Sequence, residues 1–210
     1  TGPVDSIRVG APSRNPQIRL IGWKKGSLLT DSLTATAKVE SGEIVADPAK
    51  DIVKLAVQER NRNTGRTAVG FVKGLGLRRG ALGASVAHDA HPFIVAGADD
   101  ASMLTALKWL REQGGGLVAC EGTRILACLS LTAGRLMSDE PLSAVADQLT
   151  AVDQAAAGLG LVGDHPCMAL SFLSLSVIPS LKLTDQGYVD IGQSGLQELL
   201  VTGGQDGDIS

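Results

Sequence analysis

Two of the chain's three histidines fall within the stretch SVAHDAHPF, Ser85 to Phe93, with an aspartate between them. Imidazole and carboxylate side chains at this density suit three kinds of chemistry: metal ligation, general acid-base catalysis, or a hydrogen-bonded polar corner. His88 and His91 are three apart, which in a regular strand puts them on opposite faces. They share a metal only if the chain turns between them. Pro92 biases His91 toward extended backbone, so a helical i, i+3 ligand pair is not expected either. His165 lies alone in GDHPC, and the nitrogen and sulfur ligands are too few and too scattered for a closed zinc centre, although a carboxylate-assisted site stays open. Spacing alone leaves a functional trio and a structural corner equally open for His88, Asp89 and His91.

Other motifs read more simply. The glycines of GLGLRRG, at 74, 76 and 80, have the wrong spacing for a dinucleotide fingerprint or a P-loop, and point to bent strands or close backbone approach. Ser138, Asp139 and Glu140 stand immediately before a helical pattern, where their side chains are expected to cap free amides at the positive end of the dipole. Cys120, Cys128 and Cys167 are odd in number and lack a Cys-x-x-Cys spacing, which predicts buried, reduced thiols in a cytoplasmic protein. If LVACEGTRILACL is a hairpin turning at Gly122 and Thr123, Cys120 faces Ile125 and Cys128 faces Leu117, so the two thiols are not partners.

Composition narrows the classes. The 210 residues are 44% hydrophobic, enough for a sizeable core. A net charge of -3 and 3% aromatic residues argue against nucleic acid. No apolar run reaches the ~18 residues of a membrane helix. The chain opens on Thr1 without a signal pattern, which suggests a piece of a longer protein.

The elements that must position the histidines read as α+β. Strands are expected at QIRLIGW (17–23), LTATAKV (33–39) and DIVKLAVQERN (51–61). In the last, Val53, Leu55 and Val57 point inward while Ile52, Lys54, Ala56 and Gln58 form a wet face. Strand character continues through AVGFVKGLGL and ALGASVA. One helix is predicted from Asp100 to Gln113, capped by Asp99 or Asp100, ended by three glycines and packed through Met103, Leu104, Leu107 and Leu110. A second is predicted after Pro141, with Leu142, Val145, Ala146, Leu149 and Val152 as its apolar stripe. A hairpin-like LTDQGYV closes the domain. Helices segregated between hairpins predict largely antiparallel sheets with two main helices packed on them. The expected division is an irregular lead with the first strands over 1–32, an α+β domain over 33–192 and a tail over 193–210.

Five blocks together resemble the C-terminal region of bacterial adenine deaminase. They are GEIVADPAKDIVKLAVQERN (42–61), GFVKGLGLRRGALGASVAHDAH (70–91), EQGGGLV (112–118), GRLMSDEP (134–141) and LSFLSLSVIPSLKLTD (170–185), in matching order and spacing. The resemblance runs from Val4 to Ile191. It implies an amidohydrolase that hydrolyses adenine to hypoxanthine and ammonia with a metal pair, manganese or iron, in a (β/α)8 barrel. A barrel takes ~250 residues, so this chain is expected to be the C-terminal domain alone, inactive by itself and holding no metal. The expected partners are its own N-terminal barrel, a purine base and further copies of the protein, with neither nucleic acid nor membrane. The resemblance makes His88, Asp89 and His91 the candidates for a catalytic role at the barrel mouth, and Ser85, Ser138 and Asp139 those for substrate binding. Where the family usually reads His-Asp-Ser-His-Asn, this chain has Ala90 and Pro92. A hydroxyl and an amide are lost there, which weakens the assignment of adenine over a related aminopurine.

Overall fold

The computed structural model of the chain describes residues 7–62, 64–88, 90–163, 165–193 and 195–201. Asp89 lies outside the described residues, as do both ends of the chain. In chain order the elements are β1 (Gln17–Gly22), β2 (Asp31–Thr36), β3 (Lys38–Glu40), β4 (Glu43–Val45), β5 (Ile52–Gln58), β6 (Thr67–Lys73), β7 (Ala81–Ala84) and β8 (Phe93–Gly97). There follow α1 (Asp100–Gln113), β9 (Gly116–Glu121), β10 (Arg124–Ser130), α2 (Leu142–Gly158), α3 (Pro166–Phe172), β11 (Leu181–Thr184), β12 (Gly187–Asp190) and β13 (Leu196–Gln197). Eight strands form one open sheet in the order β10-β9-β7-β8-β5-β6-β1-β2, and every pairing in it is antiparallel except β1 with β6. This is the expected α+β architecture, and the open sheet is not a closed barrel.

The largest departure from expectation is β5. All seven of its residues are buried, so the strand has no wet face. Val53, Leu55 and Val57 pack with Val152, Ala156, Leu170 and Leu183 from α2, α3 and β11. On the other face Ala56 joins Met103, Ala106, Leu107 and Leu110 of α1, together with Ile7. Alternation in one strand shows which residues share a face, but not whether something covers it. Here the segment at Ile7 and the start of α1 cover Lys54 and Ala56, while Ile52 packs with Ile18, Ile44 and Phe71. Lys54 tolerates burial because its ammonium lies 2.6 Å from Oδ1 of Asp100 and 3.2 Å from the carbonyl oxygen of Ile7.

α1 forms as its sequence dictates. The Asp99 carboxylate accepts from the Ser102 amide at 2.8 Å, and Gly114 closes the helix in left-handed backbone, φ +78°. α2 differs from expectation at its start. Pro141 occupies the cap position with no side-chain cap hydrogen bond, so Ser138, Asp139 and Glu140 do not cap it; the Ser138 hydroxyl accepts instead from the Glu140 amide at 3.2 Å. Its apolar stripe is only half used. Val152 and Ala156 are buried against the sheet, whereas Leu142 is 85% exposed and Leu149 37%. The C-terminal half of α2 carries the packing and its first turn projects. α3 arises from the apolar run near Cys167, started by Pro166 in the first turn.

The β9–β10 hairpin pairs Cys120 with Ile125 as expected, but a bulge between Ile125 and Ala127 shifts the register beyond it. Cys128 therefore faces Val118 rather than Leu117. All three cysteines are free thiols. Burial pushes Cys120 and Cys167 up to about 12, so neither is a thiolate near neutrality. Of the glycines between β6 and β7, Gly74 shows the close approach expected: with φ +107°, a Cβ there would stand 2.2 Å from the Trp23 carbonyl oxygen. Among the described residues, no helix is long and apolar enough to cross a membrane.

Candidate functional site

Antiparallel pairing brings distant loops to one end of the sheet. Gln58 pairs with Phe93, Ala84 with Ile94 and Leu117, and Gly116 with Ser130. The segments after β5, β7 and β10 and those before β8 and β9 therefore share an end. Ser85, His88, His91 and the 131–141 loop gather there.

Ser85 is fully buried. Its hydroxyl donates to the Arg135 carbonyl at 3.0 Å and accepts from the Gly116 amide at 2.8 Å, tying the 131–141 loop to β7 and β9. Ser138 and Asp139 lie in that tied loop, Ser138 half-buried and Asp139 exposed. The loop closes through paired backbone bonds between Ala133 and Met137, both 3.0 Å.

His88 is half-buried, with its ring centroid 4.5 Å from that of Phe172 and the planes tilted by 38°. It borders a cavity of about 310 Å³ whose walls include Ala90, Pro92, Ser174, Thr184 and Asp185. That volume is at the small end of the roughly 300–1,000 Å³ seen for small-molecule pockets. Asp185 is held by the Arg66 guanidinium, and the Thr184 hydroxyl donates to the Gly187 carbonyl at 3.1 Å. Among the described residues no hydrogen bond engages the ring nitrogens of His88, which can therefore face a ligand's donors and acceptors.

His91 departs from expectation, with left-handed backbone at φ +46° rather than extended geometry. Reversing the chain from β7 into β8 outweighs the local bias from Pro92, and the Asn61 side-chain amide fixes the turn by donating to the Ala90 carbonyl at 3.0 Å. The chain does turn between the two histidines. Even so, no three His, Cys, Asp or Glu side chains among the described residues converge to hold a metal. The metal pair implied by the resemblance has no ligand set among the described residues. His165 stands elsewhere, at the start of α3, with Nδ1 3.8 Å from Asp153. Burial raises the Asp153 carboxyl above its ordinary range, against the pull of His165.

Four residues that sequence reasoning did not single out shape this end: Phe172, Asn61, Arg60 and Arg135. Arg60 is only 6% exposed. Its guanidinium lies 5.9 Å from the Phe93 ring centroid, and Nη1 donates to the Arg135 carbonyl at 3.2 Å. Burial, with the Arg135 charge adding to it, lowers the Arg60 pKa. Parity along β5 was the available signal, because residue 60 continues the face of Lys54 and Gln58.

Comparison with known proteins supplies the family. Residues 27–194 match the family described as the adenine deaminase C-terminal domain. The chain belongs to that family. Adenine deaminase from Oleidesulfovibrio alaskensis is 49% identical over 188 residues, covering 89% of this chain and 32% of the relative. The adenine deaminases of Desulfatibacillum aliphaticivorans and Methanothrix thermoacetophila are 43% and 41% identical, covering 90% and 91% of this chain and 33% of each relative. The chain thus spans about a third of the length of these curated relatives. This member of the adenine deaminase C-terminal domain family has its His88 turn bordering the cavity.

Proposed function

We propose that this domain lines or closes the active site of a full-length adenine deaminase that hydrolyses adenine to hypoxanthine and ammonia, in the cytoplasm and as a homo-oligomer. The catalytic metals, manganese or iron, belong in this reading to a (β/α)8 barrel outside the chain, where loops at the open end can meet an added domain. The polar wall is contributed by His88, Asp89 and His91. The His88 imidazole meets the purine edge and holds or passes a proton as ammonia leaves. Ser85 positions the neighbouring loop through the Arg135 carbonyl and the Gly116 amide, and brings Ser138 and Asp139 to the rim.

The supporting observation is the placement of His88, its ring held by Phe172 at the edge of a cavity large enough for a small molecule. Substituting His88→Ala in the full-length protein should lower turnover by about 10²-fold or more if the imidazole moves a proton, with little change in melting temperature. Unchanged turnover would remove His88 from the reaction. A second reading, a packing or dimer module acting in a relative that deaminates another aminopurine, draws on Ser85, whose hydroxyl is fully engaged within the fold. Under it His88→Ala lowers the melting temperature and spares the rate.

A further inference from the structure

The end of the sheet that carries His88 also holds two guanidiniums, and among the described residues neither is in an ion pair. Arg60 is 6% exposed, and its Nε is buried without a hydrogen-bond partner. Arg135 is exposed, and its Nη1 donates back to the Arg60 carbonyl at 3.4 Å, so the two residues clasp each other through backbone oxygens. Among the described residues every ion pair joins other groups. Glu59, next in sequence, is spent on its own turn, accepting from the amides of Arg62 and Thr64 and from the Thr64 hydroxyl. Taking a cation out of water is costly unless an opposite charge meets it, and two adjacent cations repel. The ring of Phe93 and one carbonyl offset this only in part.

We propose that Arg60 and Arg135 form a socket for a carboxylate side chain from the part of the full-length protein outside this chain, an ion pair that docks the domain. This rests on the reading above, in which this end of the sheet faces another module. Guanidinium forks match a carboxylate with paired hydrogen bonds, which suits the chemistry. The source follows from enclosure and length. Arg60 is too covered for a free ion to surround it, the open approach is over exposed Arg135, and about two-thirds of the curated relatives' length lies outside this chain.

The test uses the full-length protein. Arg135→Lys puts a primary amine at the socket, and a carbodiimide joins amines to touching carboxylates. Peptide mapping should find an amide linking position 135 to an aspartate or glutamate outside these 210 residues, with several-fold lower yield when Arg60→Met is added. No link, a link only to acids within this chain, or a link abolished by inorganic phosphate at millimolar concentration overturns the proposal, the last assigning the socket to a free anion. In the unsubstituted protein, an arginine-selective dicarbonyl should label exposed Arg14 at least about tenfold faster than Arg135; equal labelling overturns the proposal without reliance on a variant. The link persisting while His88→Ala keeps full turnover would leave the socket standing and remove the active-site reading; the opposite pair of results would do the reverse.

Discussion

The imidazole of His88 lies against the ring of Phe172, centroids 4.5 Å apart and planes tilted by 38°. The contact joins the β7–β8 turn to the end of α3, so Phe172 covers one side of the imidazole. Aromatic pairs of this kind contribute about 0.5–1.5 kcal/mol beyond their burial. Phe172→Leu in the full-length protein should therefore lower kcat several-fold, by less than His88→Ala does, while Phe172→Tyr, which keeps the ring, restores it. Steady-state kinetics of the two variants check this. Wild-type kcat in Phe172→Leu would show that the stack does not position His88.

Ala90 and Pro92 both line the cavity beside His88, and they are the positions where the chain departs from the pattern it resembles. In the proposed reading the wall lacks a hydroxyl and an amide that would read a base. A neutral hydrogen bond contributes about 0.5–1.5 kcal/mol, so Ala90→Ser with Pro92→Asn should raise kcat/KM for adenine by about 2- to 10-fold per bond regained. The measurement is kcat/KM for adenine against other aminopurines, with melting temperature as control. An unchanged ratio among the bases would show that positions 90 and 92 do not read the substrate.

How far the sequence reaches is clearest at these residues. The α+β class, α1 with its Asp99 cap, and the closing hairpin were legible because each rests on local signals: periodicity, a capping side chain, a turn. The density of His and Asp in an apolar block pointed to His88, which borders the cavity, while Asp89 lies outside the described residues. What failed depended on long-range packing. Lys54 looked solvated because no strand pattern records that Ile7 and Asp100, both distant in sequence, come to cover it. Leu142 looked buried because helical periodicity does not say how much of a helix reaches the sheet. The clasp of Arg60 with Arg135 joins residues 75 apart in sequence, beyond any local pattern, and the bulge after Ile125 shifted Cys128 by one pairing step.

The Lys54 ammonium is fully buried against an Asp100 whose side chain is 30% exposed. Removing the acid of such a pair is worse than removing the cation, because a lone buried charge remains. Asp100→Ala should destabilise the protein by about 1–3 kcal/mol, discounted from the fully buried case because water still reaches Asp100. Lys54→Met, which keeps the aliphatic stem, should cost less. Denaturant unfolding of both variants tests the order. The reverse ranking would mean that the carbonyl of Ile7 and water suffice for Lys54.

Lys182 on β11 has no exposed surface, and its ammonium donates to the Leu28 carbonyl at 2.9 Å, with no acid partner among the described residues. Burial pulls its pKa from 10.5 down to about 8. Between those values the unfolded chain holds a proton that the folded one has released, so stability from this group rises with pH across the window. Below about 8 both states are charged and the burial cost is present in full. Tyr188, across the same hairpin from Leu183, acts oppositely. Burial raises its pKa above the ordinary 10, so its contribution is lost as pH climbs past the unfolded value. The comparison that isolates Lys182 is the unfolding free energy of Lys182→Met minus that of the unsubstituted protein, measured from pH 7 to 10. Leu28 is exposed, so water can take over its carbonyl in the variant. Lys182→Met should be the more stable protein at pH 7 and should lose that advantage by pH 10. A difference that stays flat across the window would mean that Lys182 keeps an ordinary pKa, with water reaching its ammonium in solution.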